Sequence, residues 1–265
     1  MSTEIPALHS SRFSAQEFEI LLAAYGRDRL PYPIQFTTSA TDFDDLRTQR
    51  EAAVDTLLTK HSAELVRAVE VLLDPEGRVE SKGFGGPGLT QVYRFHGAIR
   101  DESAAAVRQE PGPSEETGGD VIVTCCAAGQ LAQHLVRSLP RRPAGTGAPI
   151  EVRRDDVIAD RHRPVRRAYE PTLVERLDGL FKRPRTGLGE IRIHPGAAVD
   201  SRPAPARGFW WMDYEDGRYY VRTGDPIIAK PLPPKAMATE IHRLLSLTRR
   251  YHREDRDHEE YLRTR

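Results

Sequence analysis

The sequence predicts an α+β fold: a central, mainly antiparallel sheet built from two like halves. Three observations predict it. A hairpin with a strong turn signature occupies residues 208–224. Strand-like runs followed by a closing helix occur twice, in 76–139 and again in 188–250. Segments of helical period fill residues 13–73, ahead of the first strands.

The hairpin organises the rest. Asp216-Gly217 lies between two alternating runs, and both central residues of a type I′ turn need positive φ. With that pair at the tip, Tyr214 faces Tyr219, Met212 faces Val221 and Trp210 faces Thr223, an almost wholly apolar side. The other side sets Glu215 against Arg218, Asp213 against Tyr220 and Trp211 against Arg222, a pattern suited to water. The expectation is a sheet with one face covered by helices and one face wet.

Taken in order, residues 1–12 read as a flexible N-terminus. Ser14 and Glu17 form a capping box, flanked by a Phe13–Phe18 staple, and open a helix with Phe18, Leu21, Leu22 and Tyr25 at helical spacing. Gly26 stops it. Leu30-Pro31-Tyr32-Pro33 is extended, because a residue before proline is pushed out of the α region. A second helix runs over 42–60 with Phe43, Leu46, Ala53, Val54, Leu57 and Leu58 inward. A third runs over 63–73 with Leu65, Val69, Leu72 and Leu73 inward. Residues 78–82, 91–100, 104–109 and 120–126 read as strands. Gly83–Gly88 reads as a flexible loop and 110–119 as a mobile connection. A helix over 129–139 closes this first half, which spans 13–139 with its N-terminal helices.

Residues 140–187 read as a linker plus one helix, 140–149 being rich in proline, glycine and arginine and 171–181 helical. A short strand is expected at 150–154. The second half, 188–250, holds strands at 190–194, in the hairpin and at 226–229, then a helix over 235–250 with Met237, Ile241, Leu244 and Leu245 inward. Residues 251–265 form a charged tail that extends this helix or frays. The whole is expected to act as a single domain over 1–265.

Composition bounds the function. Hydrophobic residues make up 38% and charged residues 29%, enough for a core with a generous polar surface. The formal net charge is +0, so no long-range attraction of the whole molecule to nucleic acid or anionic membrane is expected. Cys125 and Cys126 are the only cysteines, and as neighbours in a strand-like run they provide no disulfide framework. A reducing, cytoplasmic setting is therefore the default. Neither a signal peptide nor an apolar run of membrane length is evident.

No catalytic or metal-binding constellation is expected. Gly83–Gly88 has the letters of a dinucleotide loop but is followed by a strand rather than a helix, and Pro87 removes an amide. The nine histidines lack metal spacing, no Cys-x-x-Cys exists, and no serine sits in a nucleophile elbow. The arginine-rich segment 153–167 is broken by Asp155, Asp156 and Asp160 and lacks aromatics, so a solvated connector outweighs a phosphate-binding one. A protein-binding role follows, with no cofactor, no metal and no small-molecule substrate. An arginine-rich nucleic-acid binder is the alternative, and an enzyme with a site between the two halves is a third reading.

Three stretches resemble the EspG family, the ESX secretion-associated proteins of type VII secretion. They are Phe13-Ser14-Ala15-Gln16-Glu17-Phe18 through Gly26 to Leu30-Pro31-Tyr32-Pro33; the step from Leu72-Leu73 into Arg78-Val79-Glu80; and Gly187-Leu188-Gly189-Glu190-Ile191 with the hairpin ending Asp216-Gly217-Arg218-Tyr219. Family members often carry glutamine where this chain has Glu190. The likeness spans about 13–250 and is thinnest over 140–186. It implies a pseudo-two-fold antiparallel sheet flanked by two helical bundles. It also implies a cytosolic chaperone that covers the exposed apolar helical tip of PPE-type substrates in PE–PPE heterodimers, keeps them soluble and directs them to secretion. It carries no catalytic residues. Partner contact in such proteins involves a loop between sheet strands and the C-terminal helices. Here the equivalents are Arg100, Asp101 and Glu102 in a loop and Lys235, Thr239 and His242 on the last helix.

Overall fold

The computed structural model describes residues 10–161, 171–198 and 206–264. Expectations for residues 1–9 and 162–167 lie outside them. In chain order the elements are β1 (Ser10–Phe13), α1 (Ala15–Ala24), α2 (Phe43–Lys60), α3 (Ala63–Leu73), β2 (Gly77–Gly85), β3 (Gln91–Arg100), β4 (Ser103–Pro111), β5 (Gly118–Ala127) and α4 (Leu131–Ser138). There follow β6 (Ile150–Val152), α5 (Arg154–Arg161), α6 (Leu173–Phe181), β7 (Gly187–Pro195), β8 (Arg207–Tyr214), β9 (Gly217–Arg222), β10 (Ile227–Pro231) and α7 (Pro234–Arg263).

All ten strands join one sheet in the order β1-β5-β4-β3-β2-β7-β8-β9-β10-β6, antiparallel throughout. The two sets of strands expected from the sequence meet at the β2–β7 pair, where Gly77 to Gly85 run against Pro195 to Gly187.

Helices cover both faces, which corrects the expectation of one wet face. Alternate residues of a strand point to opposite sides. On one side Phe95, Ile99, Ala104, Ile191 and Trp211 pack beneath α4 and α7 in a single core cluster. On the other, Ala98, Ala105, Val107, Val121 and Val123 pack beneath α1 and α3. Further along that same side, Met212, Tyr214, Tyr219 and Val221 pack with β6 and α6.

The hairpin keeps its predicted faces but pairs two residues out of the expected register. Met212 opposes Tyr219, Asp213 opposes Arg218 and Tyr214 opposes Gly217, so the turn is Glu215-Asp216. The cause is tertiary. Residues 140–147, expected as a linker, form a strap along β9, bridged at Ala144 to Arg218, with Arg218 N donating to Pro143 O and Gly145 N to Arg218 O. Gly217 sits at φ 131°, and a Cβ there would lie 2.5 Å from Ala144 O, so only glycine lets the strap approach. Asp216 accepts from Thr146 N and Oγ1 at 3.1 Å, from Tyr219 Oη at 2.5 Å and from Arg183.

Of the side expected to be wet, Trp211, Asp213, Arg218 and Tyr220 are buried, while Glu215 and Arg222 are exposed. Asp213 and Arg218 are 1% and 3% exposed, with Arg218 Nε donating to Asp213 Oδ1 at 2.7 Å and Nη2 to Oδ2 at 2.8 Å. The guanidinium also lies 4.7 Å from the centre of the Trp211 ring. That ring is fully buried and rests on glycines: a Cβ on Gly189 would meet Trp211 Cζ2 at 2.6 Å and Gly83 Cα at 2.7 Å. Gly83 and Gly85 belong to β2 rather than to a flexible loop, and Gly83 supplies part of the flat floor the indole needs.

Four further expectations are corrected. Ser10–Phe13 is a strand rather than a flexible end; it pairs with Thr124 to Val121 and buries Phe13. The connection expected over 110–119 is shorter: β4 and β5 take its two ends, with a bulge between Gln109 and Pro111, and only 112–117 lie outside the strands. Residues 154–161 are helical rather than a connector. Of the α2 residues expected inward, Ala53 is buried, but Phe43, Val54 and Leu58 are 90%, 41% and 72% exposed, because α2 packs on α1 rather than on the sheet. The charged tail extends α7 to Arg263, the first of its two expected outcomes.

Between the two helical layers of the second face, the central strands carry a polar strip. Arg78 Nε donates to Glu80 Oε1 at 2.8 Å, and His194 Nε2 lies 3.4 Å from Glu80 Oε2. His96 Nδ1 is 2.8 Å from Tyr32 O. Burial holds the His96 imidazole below its ordinary value of 6.5, despite the nearby Glu80. Burial alone would raise Glu80, but His194 and Arg78 outweigh it and hold that carboxyl at about 2. The contribution of these two groups to folding stability is therefore full above pH 6.5. It is expected to fall as pH drops below 6.5, where the unfolded His96 takes up protons first, and further below 4.5, where Glu80 adds its share. Urea titrations at pH 7.5 and 5.5 check the first step: His96→Gln is expected to flatten the loss, and an unchanged slope contradicts the assignment.

Candidate partner-binding surface

α4 and α7 lie side by side on the first sheet face, α4 over β3 and β4, α7 over β2, β7 and β8. The α7 sequence explains its seat. Pro234 suits the first helical position, and Met237, Ile241, Leu244 and Leu245 recur at helical spacing and are all buried. What the two helices leave between them is a groove of about 550 Å³ open to solvent. Gly129, Ala132 and Ala238 give it a floor of small residues, and Val136 adds an apolar wall. Lys235, Thr239 and His242 line its α7 side and are exposed; Arg137 lines the α4 side. Thr239 Oγ1 donates to Lys235 O at 3.0 Å. A second groove, lined by Tyr220, Lys230 and Glu240, shares Lys235 and Thr239, which therefore stand on the ridge between the two.

The other three expected site residues form a separate feature. Arg100 pairs with Ser103 across the tight β3–β4 turn, with Asp101 at φ 52° and Glu102 at its tip. The turn is tied down. Asp101 N donates to Glu76 Oε2 at 3.1 Å, and Arg249 Nη2 donates to Asp101 O at 2.6 Å. Arg249 and Arg253 of α7 both donate to Glu76. Burial works to raise the Glu76 carboxyl, but Arg253, Arg249 and the Asp101 amide overcome it and hold it at about 2. Arg100 reaches Asp74 at 3.5 Å.

The structure thus brings Lys235, Thr239 and His242 together in one groove and sets Arg100, Asp101 and Glu102 apart from them. Arg249 follows Lys235 by fourteen residues, or about 21 Å of helix. Two links join the features: α7 reaches both, and Ala128 N, just ahead of α4, donates to Glu102 O at 2.9 Å. The α4 half of the groove was missed in the sequence. Gly129, Ala132 and Gln133 line it beside the buried Leu131 and Leu135, and the small residues Gly129 and Ala132 at the start of a short helix were the available signal.

Among the described residues no group of three or more His, Cys, Asp or Glu side chains is placed to hold a metal ion, and no helix is long and apolar enough to cross a membrane. Burial pushes the Cys126 thiol up to about 12, away from nucleophilic character. Arg154, in the segment weighed for phosphate contact, donates to Thr223 O, and its amide donates to Asp225.

The model of the EspG family matches residues 14–243 of the 265. The chain belongs to the EspG family. No curated protein matches it. Membership implies an ESX secretion-associated chaperone role, in a family of chaperones rather than of enzymes. In this EspG-family chain the match begins at the capping serine of α1 and ends within α7, one residue past His242, so it includes all six expected contact residues and the whole groove.

Proposed function

We propose that this chain is the cytoplasmic chaperone of PPE-type substrates in PE–PPE heterodimers. It covers the exposed apolar tip of the helical PPE partner, keeps the pair soluble and directs it to an ESX secretion system. The observation that carries the reading is the α4–α7 groove: a small-residue floor that lets a foreign helix approach closely, an apolar wall, and an exposed polar rim. Family membership supports the secretion role. The tight turn at Arg100–Glu102 is a second contact, held in place by Glu76 and the α7 arginines.

The same reading treats the two sets of strands as pseudo-two-fold halves of a single working domain, flanked by two helical bundles. The strand order, outward from β2 through β3, β4 and β5 and outward from β7 through β8, β9 and β10, supports it.

The test is co-expression with a PE–PPE pair and measurement of the complex. Thr239→Arg fills the groove and Lys235→Glu reverses its rim charge. Each is expected to weaken binding roughly tenfold or more while leaving the fold intact, since both positions are exposed. Binding unchanged by both variants removes the groove from the interface.

A further inference from the structure

α2 presents a surface that neither the fold nor the proposed groove uses. It packs on α1, and α1 lies on the sheet face opposite α7. Along its outer flank runs a shallow depression of about 500 Å³ whose lining residues all belong to α2. Phe43 and Val54 line it, and Leu58 continues the stripe one turn further, all three exposed. Three large apolar side chains on one flank of an 18-residue helix make a patch that water does not favour.

The charges on that flank are ordered. Arg47 and Arg50 come first along the helix, Glu51 and Asp55 after them, giving no net charge. Arg50 already reaches Glu19 of α1 at 3.3 Å. Among the described residues Arg47 forms an exposed pair with Asp44 one turn back, the kind that contributes little. Glu51 and Asp55 take part in no ion pair among the described residues.

We propose that α2 pairs with α2 of a second copy of this chain, antiparallel, about a two-fold axis near Arg50. An isologous contact requires a patch complementary to itself. In an antiparallel helix pair, residues on the same side of the seam meet, and Arg47, Glu51 and Asp55 share one side at four-residue spacing. Centred on Arg50, the pairing sets each Arg47 between Glu51 and Asp55 of the other copy, and each Phe43 beside Leu58 of the other. A partner of uniform charge gains nothing from a neutral, ordered flank; a second copy matches it. One helix pair buries less than the ~1,200 Å² of a standard interface, so the dimer is weak and concentration-dependent. It leaves the α4–α7 groove open, and its failure says nothing about the client reading.

The test is molar mass by light scattering or sedimentation from about 1 μM to about 1 mM. The wild-type chain is expected to climb from 29.8 kDa toward twice that mass. Arg47→Glu alone and the Glu51→Arg/Asp55→Arg double variant each put like charges across the axis and are expected to stay at 29.8 kDa with unchanged circular dichroism. An equal mixture of the two restores complementarity and is expected to regain the dimer as a heterodimer. A wild-type mass fixed at 29.8 kDa overturns the proposal. So does a dimer indifferent to these variants, a mixture that fails to re-pair, or a client bound through α2 and lost with Phe43→Ser.

Discussion

Replacing Arg218 or Asp213 by alanine is expected to cost about 3–5 kcal/mol of folding stability, because either change strands a buried charge. Both side chains are almost fully buried, joined by two hydrogen bonds of 2.7 and 2.8 Å. Arg218 does more than pair. Its Nη2 also donates to Pro140 O at 2.9 Å, and its guanidinium stacks on Trp211. One residue thus fastens the strap, the hairpin and the bed of α7. For a chain of this size the loss corresponds to a melting temperature lower by about 6–20 °C. The double variant Asp213→Leu/Arg218→Met leaves no unpaired charge and is expected to be more stable than either alanine variant. Thermal unfolding of the four proteins checks this. Single variants costing under ~1 kcal/mol contradict a buried, paired charge.

Trp211→Ala is expected to cost a similar amount, about 3–5 kcal/mol, since the indole is fully buried and its removal leaves a cavity. The glycines beneath it give the complementary experiment. Gly189→Ala drives a methyl group into Trp211 and into the Gly83 backbone, and overpacking of this kind costs about 1–3 kcal/mol or more. Combined, the two changes are expected to cost less than their sum, because one of the two clashes disappears with the ring. Chemical denaturation of the four-protein cycle measures the coupling. Strict additivity contradicts the packing of the ring on the β2–β7 glycines.

These particulars show what was legible in the sequence. Local signals held where local physics decides. Ser14 and Glu17 form the capping box, with Ser14 N donating to Glu17 Oε2 at 2.9 Å, and Met237, Ile241, Leu244 and Leu245 are buried as their spacing requires. The antiparallel strands fell within a few residues of their places. The errors arose where a distant segment intervenes. Asp216-Gly217 carries the letters of a hairpin tip, yet the strap from 140–147 needs the glycine beside Ala144 and draws the aspartate to Thr146. Trp211 and Tyr220, thought to face water, are covered by α7, which no pattern within the hairpin could disclose. Phe43, Val54 and Leu58 repeat at helical spacing, but periodicity does not say whether a neighbour exists to cover the stripe. The groove was half legible: Lys235, Thr239 and His242 on α7 came through the family likeness, whereas α4 supplies its wall only by packing.

The central claim is that α4 and α7, seated on one face of the shared sheet, form the surface that receives a client's apolar helical tip. Hydrogen–deuterium exchange of the chain with and without a co-expressed PE–PPE pair tests it most directly. Protection is predicted over Leu131–Ser138, the first turns of α7 and the turn at Arg100–Glu102, with β6 and α2 unchanged. Protection absent from α4 and α7, or confined to the opposite face of the sheet, would contradict it.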